Sequence, residues 1–168
     1  MKTEQQRQQL LWWVGLFVTP DRGLIPTLYR TEAGFHLQRE PIIEFDYRNR
    51  VALAEALMDA ITRGNPQIQT PPPEEQKKRL PDVQKRMKAK SWKDVERRSI
   101  YFSIECLEDE FVVISWGRAP DGTWAPEKEH ALERHIPVAE GIDAIVDVVW
   151  DHLTQRSDLP GLPIARTA

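Results

Sequence analysis

Apolar and polar residues alternate most regularly between Ser99 and Trp124. Ile100, Phe102, Ile104 and Cys106 alternate with Tyr101, Ser103 and Glu105, the period-two signature of a half-buried strand. Glu108-Asp109-Glu110 interrupts the pattern. Phe111 to Trp116 then gives a second, more continuous apolar run, as expected deeper in a sheet. Ala119-Pro120-Asp121-Gly122 follows, with proline suited to the first corner of a turn and glycine to a positive φ. The stretch predicts an antiparallel meander.

The first part of the chain repeats this plan. Leu11 to Thr19 reads as a buried strand, Pro20 to Gly23 as a turn, and Leu24 to Thr31 as a second strand. Pro26 in that strand predicts an edge position or a bulge. Glu32-Ala33-Gly34 turns into Phe35 to Glu40, and Ile42 to Phe45 ends the strand signal. Asn49 is placed to cap a helix. Leu53, Leu57 and Ile61, beside Ala56 and Ala60, form its apolar stripe, and Gly64 ends it. Near the other end, Ile142, Ile145, Val146, Val149 and Leu153 recur with helical spacing. A strand over His130 to Ile136 is expected before that helix. Ser157 onward reads as a tail, and Lys2 to Gln9 as a frayed or disordered lead-in.

These elements predict an α+β fold of antiparallel meanders with helices in a single domain over 1–168. Two related meander-plus-helix units, 10–64 and 99–156, share one sheet or pack sheet to sheet. A proline-rich, basic connector, 65–98, joins them. Pro66 and Pro71-Pro72-Pro73 favour extended geometry. This run is expected to join the halves and to be replaceable by a flexible polar linker; a proline-rich ligand for another domain is the alternative. Leu80, Val83 and Met87 predict a helix over Glu75 to Lys90 with Pro81 in its first turn. Ser91-Trp92-Lys93-Asp94 has the spacing of a capping box for a short helix to Arg97.

Composition narrows the class. A chain of 168 residues with 29% charged and 8% aromatic residues is too apolar for disorder. The single Cys106 excludes an internal disulfide framework and a multi-cysteine zinc site, and fits a reducing compartment. Leu10 to Val18 is too short to cross a hydrocarbon core of about 30 Å as a helix. The N-terminal stretch also lacks the basic region and small-residue cleavage site of a signal peptide. The net charge of −3 is unevenly spread: Glu74 to Arg98 holds ten Lys/Arg against five Asp/Glu, and the remainder thirteen against twenty-one. An acidic body thus carries one basic segment. That segment reads as a solvated helix or as a nucleic-acid or membrane-surface helix. No aromatic residue interleaves its basic residues between Glu75 and Lys90, and the acidic body repels phosphate.

Catalytic signatures are sparse. No G-x-S-x-G, P-loop or dinucleotide fingerprint occurs. His130 and His135 are five residues apart, a spacing that misses a helical zinc pair and points to opposite faces of a strand. Cys106 with a distant His36 or His152 suggests a nucleophile and base, but a buried thiol is inert. Glu105 and Glu108 are a carboxylate pair open to a small hydrolase, but nothing else selects those two from the twenty-six acidic residues. Asp143, Asp147 and Asp151 share one helix face and read as solvated. No catalytic, cofactor or metal residue is assigned.

From Ser91 to Leu153 the chain resembles the immunity proteins of bacterial contact-dependent growth inhibition systems. The matching features are Ser91-Trp92-Lys93, Ser99-Ile100, Phe111-Val112-Val113, Pro120-Asp121-Gly122-Thr123-Trp124, Arg134-His135-Ile136-Pro137 and the helix from Ile142. The resemblance implies a cytoplasmic, non-enzymatic antitoxin that binds the toxic C-terminal domain of a delivered effector, commonly a basic nuclease. The acidic run Glu108-Asp109-Glu110 at a hairpin tip is the candidate surface, with Trp124, Glu127 and Glu129 expected near the same rim. There, carboxylates would imitate the phosphates a nuclease binds. The alternatives are a nucleic-acid-binding accessory protein using 75–98 and a small hydrolase.

Overall fold

Residues 9–159 are described by a computed structural model. The first meander comprises β1 (Trp12–Val18), β2 (Gly23–Thr31) and β3 (His36–Phe45), followed by α1 (Arg50–Arg63). The middle holds β4 (Gln67–Ile68), α2 (Pro73–Lys78), α3 (Asp82–Arg86) and α4 (Trp92–Arg97). The second meander comprises β5 (Ile100–Cys106), β6 (Glu110–Ser115) and β9 (Leu132–Pro137). Between β6 and β9 a small arm is built from β7 (Gly117–Arg118) and β8 (Trp124–Ala125). A 3-10 turn, Val138–Glu140, leads into α5 (Ile142–Gln155).

The two meanders share one sheet in the order β3-β2-β1-β5-β6-β9. β1 and β5 join them antiparallel along their full length, from Trp12 opposite Cys106 to Val18 opposite Ile100. The period-two pattern decides which residues face which layer. Val14, Leu16, Val18, Ile100, Phe102, Ile104, Phe111 and Val113 point to one face. They meet Leu53, Ala56 and Leu57 of α1 and Ile145, Val146, Val149 and Leu153 of α5. The predicted stripes are the core of this helical face. Asn49 caps α1, its Oδ1 accepting from the amides of Val51 and Ala52. Asp143, Asp147 and Asp151 are exposed, as their shared face predicts.

The second face is covered by the middle segment, which is a structural layer rather than a simple linker. Val83, Met87 and Val95 pack there against Phe17, Leu24, Ile42 and Tyr101. The expected single helix over Glu75 to Lys90 is broken into α2 and α3. The break falls at Arg79 to Pro81. Proline cannot supply the amide a continuing helix needs and disfavours helical geometry in the residue before it. Leu80, expected in the stripe, is 53% exposed. Ion pairs fasten the layer: Arg86 bridges Glu40 and Glu44, Arg22 joins Glu44, and Arg79 pairs with Asp82. The buried Asp82 carboxylate also accepts the Glu40 amide.

The proline-rich run begins with the contact that holds the split sheet together. β1 and β2 pair only near their turn, at Phe17–Leu24 and Val18–Gly23. Farther out the strands part, and Asn65 spans the gap. Its Oδ1 accepts the Trp13 amide, while its Nδ2 donates to the carbonyls of Trp13 and Leu28. The Pro66 carbonyl accepts from the Arg30 amide, and β4 continues parallel to Arg30 and Thr31. A flexible substitute for Pro66 to Pro73 would leave Asn65 in place but give up the ordered β4 pairing and the fixed Pro66 carbonyl, so the run is more than a connector. Of the two readings of Pro26, the bulge is present, with a register shift between Pro26 and Thr27. The edge is not, because β2 lies between β3 and β1.

The strand predicted over His130 to Ile136 begins at Leu132, with His130 in the preceding turn at a φ of 71°. The start of the expected tail is also fixed. Asp158 pairs with Arg156 and Arg118, and Leu159 is buried. The remainder of that tail, and Lys2 to Gln8 of the lead-in, lie outside the described residues.

Candidate functional site

Past Tyr101, the second face carries a row of residues set by strand register. Trp13 lies opposite Glu105, Glu105 opposite Val112, and Val112 opposite His135. The next row brings Ser103, Ile114 and Glu133 together. Glu110 lies two residues before Val112 on the same face. His135 Nδ1 meets Glu110 at 3.2 Å and its Nε2 meets Glu133 at 2.9 Å. The hydrogen bond to Glu133, then that to Glu110, raises the His135 pKa above its ordinary value. Glu108 and Asp109 are exposed at the adjoining β5–β6 hairpin. The hairpin is anchored where the Asp109 carbonyl accepts the Val138 amide. His135 thus links Glu110 to Glu133, while Glu105 lies two strands away in the same row and Glu108 and Asp109 lie at the adjoining hairpin. The strand pattern placed Glu105 on this face but did not reveal Glu133, whose position follows only from the β6–β9 register.

The other predicted surface residues lie elsewhere. Glu110 pairs with Pro137 at one end of β6, and Ser115 with Leu132 at the other. Glu127 and Glu129 are exposed in the turn before Leu132, so they occupy the opposite end of the sheet from Glu108–Glu110. The expectation of one shared rim is corrected by this register. Trp124 is a packing residue: its ring stacks on Tyr101 at 5.3 Å and meets Trp92 edge-on at 6.1 Å. Its indole N–H donates to the Ser99 carbonyl at 2.9 Å. Arg79, Arg86 and Arg98 of the basic segment are engaged by carboxylates.

A groove of about 790 Å³ lies on the same face at the other side of Trp13. Leu28, His36 and Arg39 of the first meander, Pro71 and Pro72, and Trp92 are among its lining residues. The Trp13 ring meets His36 edge-on at 5.1 Å, and its indole N–H donates to Ser103 Oγ at 2.9 Å. Burial, then the charge of Arg30, lowers the His36 pKa. Sequence patterning misses this groove because its walls come from segments far apart in the chain.

The groups considered for catalysis are separated or confined. Cys106 is buried on the helical face, and burial raises its thiol pKa. His152 is buried beside Arg156, whereas His36 lines the groove on the opposite face. Among the described residues, no group of three or more His, Cys, Asp or Glu side chains is placed to hold a metal ion. No helix among them is long and apolar enough to cross a membrane.

The fold is a six-strand antiparallel sheet, extended by β4, with a helical layer on one face and a broken-helix layer on the other. No family model matches the chain, and no curated protein matches it. A similar solved structure is the Protein of Unknown Function NMB0488 from Neisseria meningitidis. It shares 10% identity at a TM-score of 0.58, over 94% of this chain and 100% of that one. The likeness is one of fold.

Proposed function

We propose that this chain is a non-enzymatic, cytoplasmic immunity protein of the contact-dependent growth inhibition kind. In this reading it occludes the basic cleft of a toxic domain, most simply a nuclease. The observation that carries the reading is the acidic hairpin corner, where Glu105, Glu108, Asp109 and Glu110 lie at one end of the sheet and His135 links Glu110 to Glu133 farther along β9. Carboxylates on a rigid sheet and its hairpin present negative charge at fixed spacing, which steers a basic partner into register. Ile114, half-buried on the same face, supplies apolar surface beside the charges. The ion pairs that engage three arginines of the basic segment favour a structural role for it over nucleic-acid binding.

The test is co-expression with the C-terminal domain of an effector encoded directly upstream. The expected result is a one-to-one complex on gel filtration and survival of cells that the domain alone kills. A toxic domain that remains active and elutes separately would overturn the reading.

A further inference from the structure

The groove beside Trp13 has a composition distinct from the acidic corner. Its apolar surfaces are Leu28, Trp13, Trp92 and the consecutive Pro71 and Pro72. Gln38, Gln69 and Gln76 also line it. A primary amide both donates and accepts, and so matches the paired N–H and C=O of a peptide bond. Gln76 Nε2 is held by the Pro71 carbonyl at 2.7 Å, which sets that side chain against the proline wall. Gln38 and Gln69 have no side-chain partner among the described residues. Arg79 is oriented by Asp82, to which its Nη2 donates at 2.9 and 3.1 Å. Arg39 differs: it is half-buried in the groove lining and forms no ion pair or side-chain hydrogen bond among the described residues. Both arginines also border an adjoining recess with Tyr29, Glu40 and Ile68. One partially desolvated guanidinium without a partner matches one carboxylate, held in the strong charge-assisted geometry.

We propose that this groove binds an extended peptide segment of a partner protein, one that places a carboxylate beside a bulky apolar side chain. The apolar side chain packs among Trp13, Trp92 and the prolines. The peptide bonds pair with Gln38 and Gln69, and the carboxylate meets Arg39. The site stands apart from the acidic corner and takes a ligand of opposite charge, so it does not depend on the immunity reading.

The test is titration of the ¹⁵N-labelled full chain with two peptides, Ac-Leu-Phe-Glu-Leu-NH2 and its Glu→Gln counterpart. The readouts are the indole N–H signals of Trp13 and Trp92, assigned by Trp→Phe variants. The expected result is saturable shifts of both signals, with the Glu peptide bound at least about fivefold more tightly than the Gln peptide. Arg39→Gln should remove that preference while keeping the wild-type amide spectrum and melting temperature. The absence of shifts at millimolar peptide, equal affinity for the two peptides, or a preference that survives Arg39→Gln would each overturn the proposal. So would sodium acetate reproducing the shifts, which marks a bare anion site, or tighter binding of a short oligothymidylate, which marks a nucleic-acid groove.

Discussion

On one face of the sheet, α1 and α5 bury regular aliphatic stripes against alternating strand residues. On the other, short helices and irregular chain are anchored by Val83, Met87, Val95, an aromatic group around Tyr101, and ion pairs. The helical face rests on apolar area, which is non-directional and tolerant of sequence. The second face rests on particular bonds at particular places, and it is where a groove and an acidic corner remain open. The regular packing thus lies on one side of the sheet, and the open surfaces proposed for binding lie on the other.

The largest expected effect breaks the helical face. Val146 is 1% exposed at the centre of the α5 stripe. Val146→Asp forfeits about 1.5–3 kcal/mol of burial and adds the cost of an unpaired buried carboxylate. A total above about 4 kcal/mol lowers the melting temperature of a chain this size by roughly 10 °C or more. A circular-dichroism melt checks this, and a melt within a degree of wild type would show that the stripe is not core.

A comparable effect is expected where the C-terminal end of α5 is tied to the arm. The fully buried Arg156 donates to both oxygens of Asp158, at 2.6 Å each, and to the Trp116 carbonyl at 3.1 Å. Arg118 joins the same carboxylate and also donates to the carbonyls of Glu96, Ser99 and Gly122. Asp158→Ala leaves Arg156 buried without its anion, at a cost of about 3–5 kcal/mol, readable as a lower urea midpoint.

The same cluster sets an acid limit. Burial, and then Arg156, lowers the His152 pKa from 6.5 to about 4. The folded state therefore binds fewer protons than the unfolded state in that window. The His152 contribution is fully present above 6.5 and falls as pH drops toward 4. Burial works to raise the Asp158 pKa, but the Arg156 and Arg118 interactions override it and hold the carboxyl below its ordinary range. Its contribution is lost only at still lower pH. Urea midpoints at pH 7, 5.5 and 4.5 should fall in sequence, and His152→Gln should flatten the decline.

A smaller effect is expected at the split between β1 and β2. Asn65→Ala removes three hydrogen bonds and leaves the Trp13 amide without its acceptor, costing about 1–3 kcal/mol. Amide hydrogen exchange checks the division between faces. Trp13 and Arg30 should lose protection, while the interior of α5 keeps it.

The helical face was legible because Leu53, Leu57, Val146 and Val149 repeat at helical spacing, and Ile100 to Cys106 alternates. Gly64, Asn49 and the turn residues added the boundaries. The second face was not legible because its anchors are isolated: Val83 and Met87 carried a helical signal, but Pro81 and the exposed Leu80 broke the expected helix in two. Asn65 gave no periodic signal at all, since its role depends on where two strands part. The acidic hairpin could be read directly, whereas the link from Glu110 through His135 to Glu133 and the separation of Glu127 and Glu129 required the register of β9.

The binding role proposed for the acidic corner is tested most directly by charge reversal at the two ends of the second meander. One variant carries Glu108→Lys, Asp109→Lys and Glu110→Lys; the other carries Glu127→Lys and Glu129→Lys. Association and dissociation rates with the upstream-encoded toxic domain are measured at two salt concentrations, with melts to confirm folding. The corner variant should associate at least about tenfold more slowly at low salt and lose most of its salt dependence, because the steering charge is gone. The opposite-end variant should stay close to wild type. A corner variant that binds with unchanged rates and salt slope, or an opposite-end variant that loses as much, would contradict the assignment of the acidic corner as the binding surface.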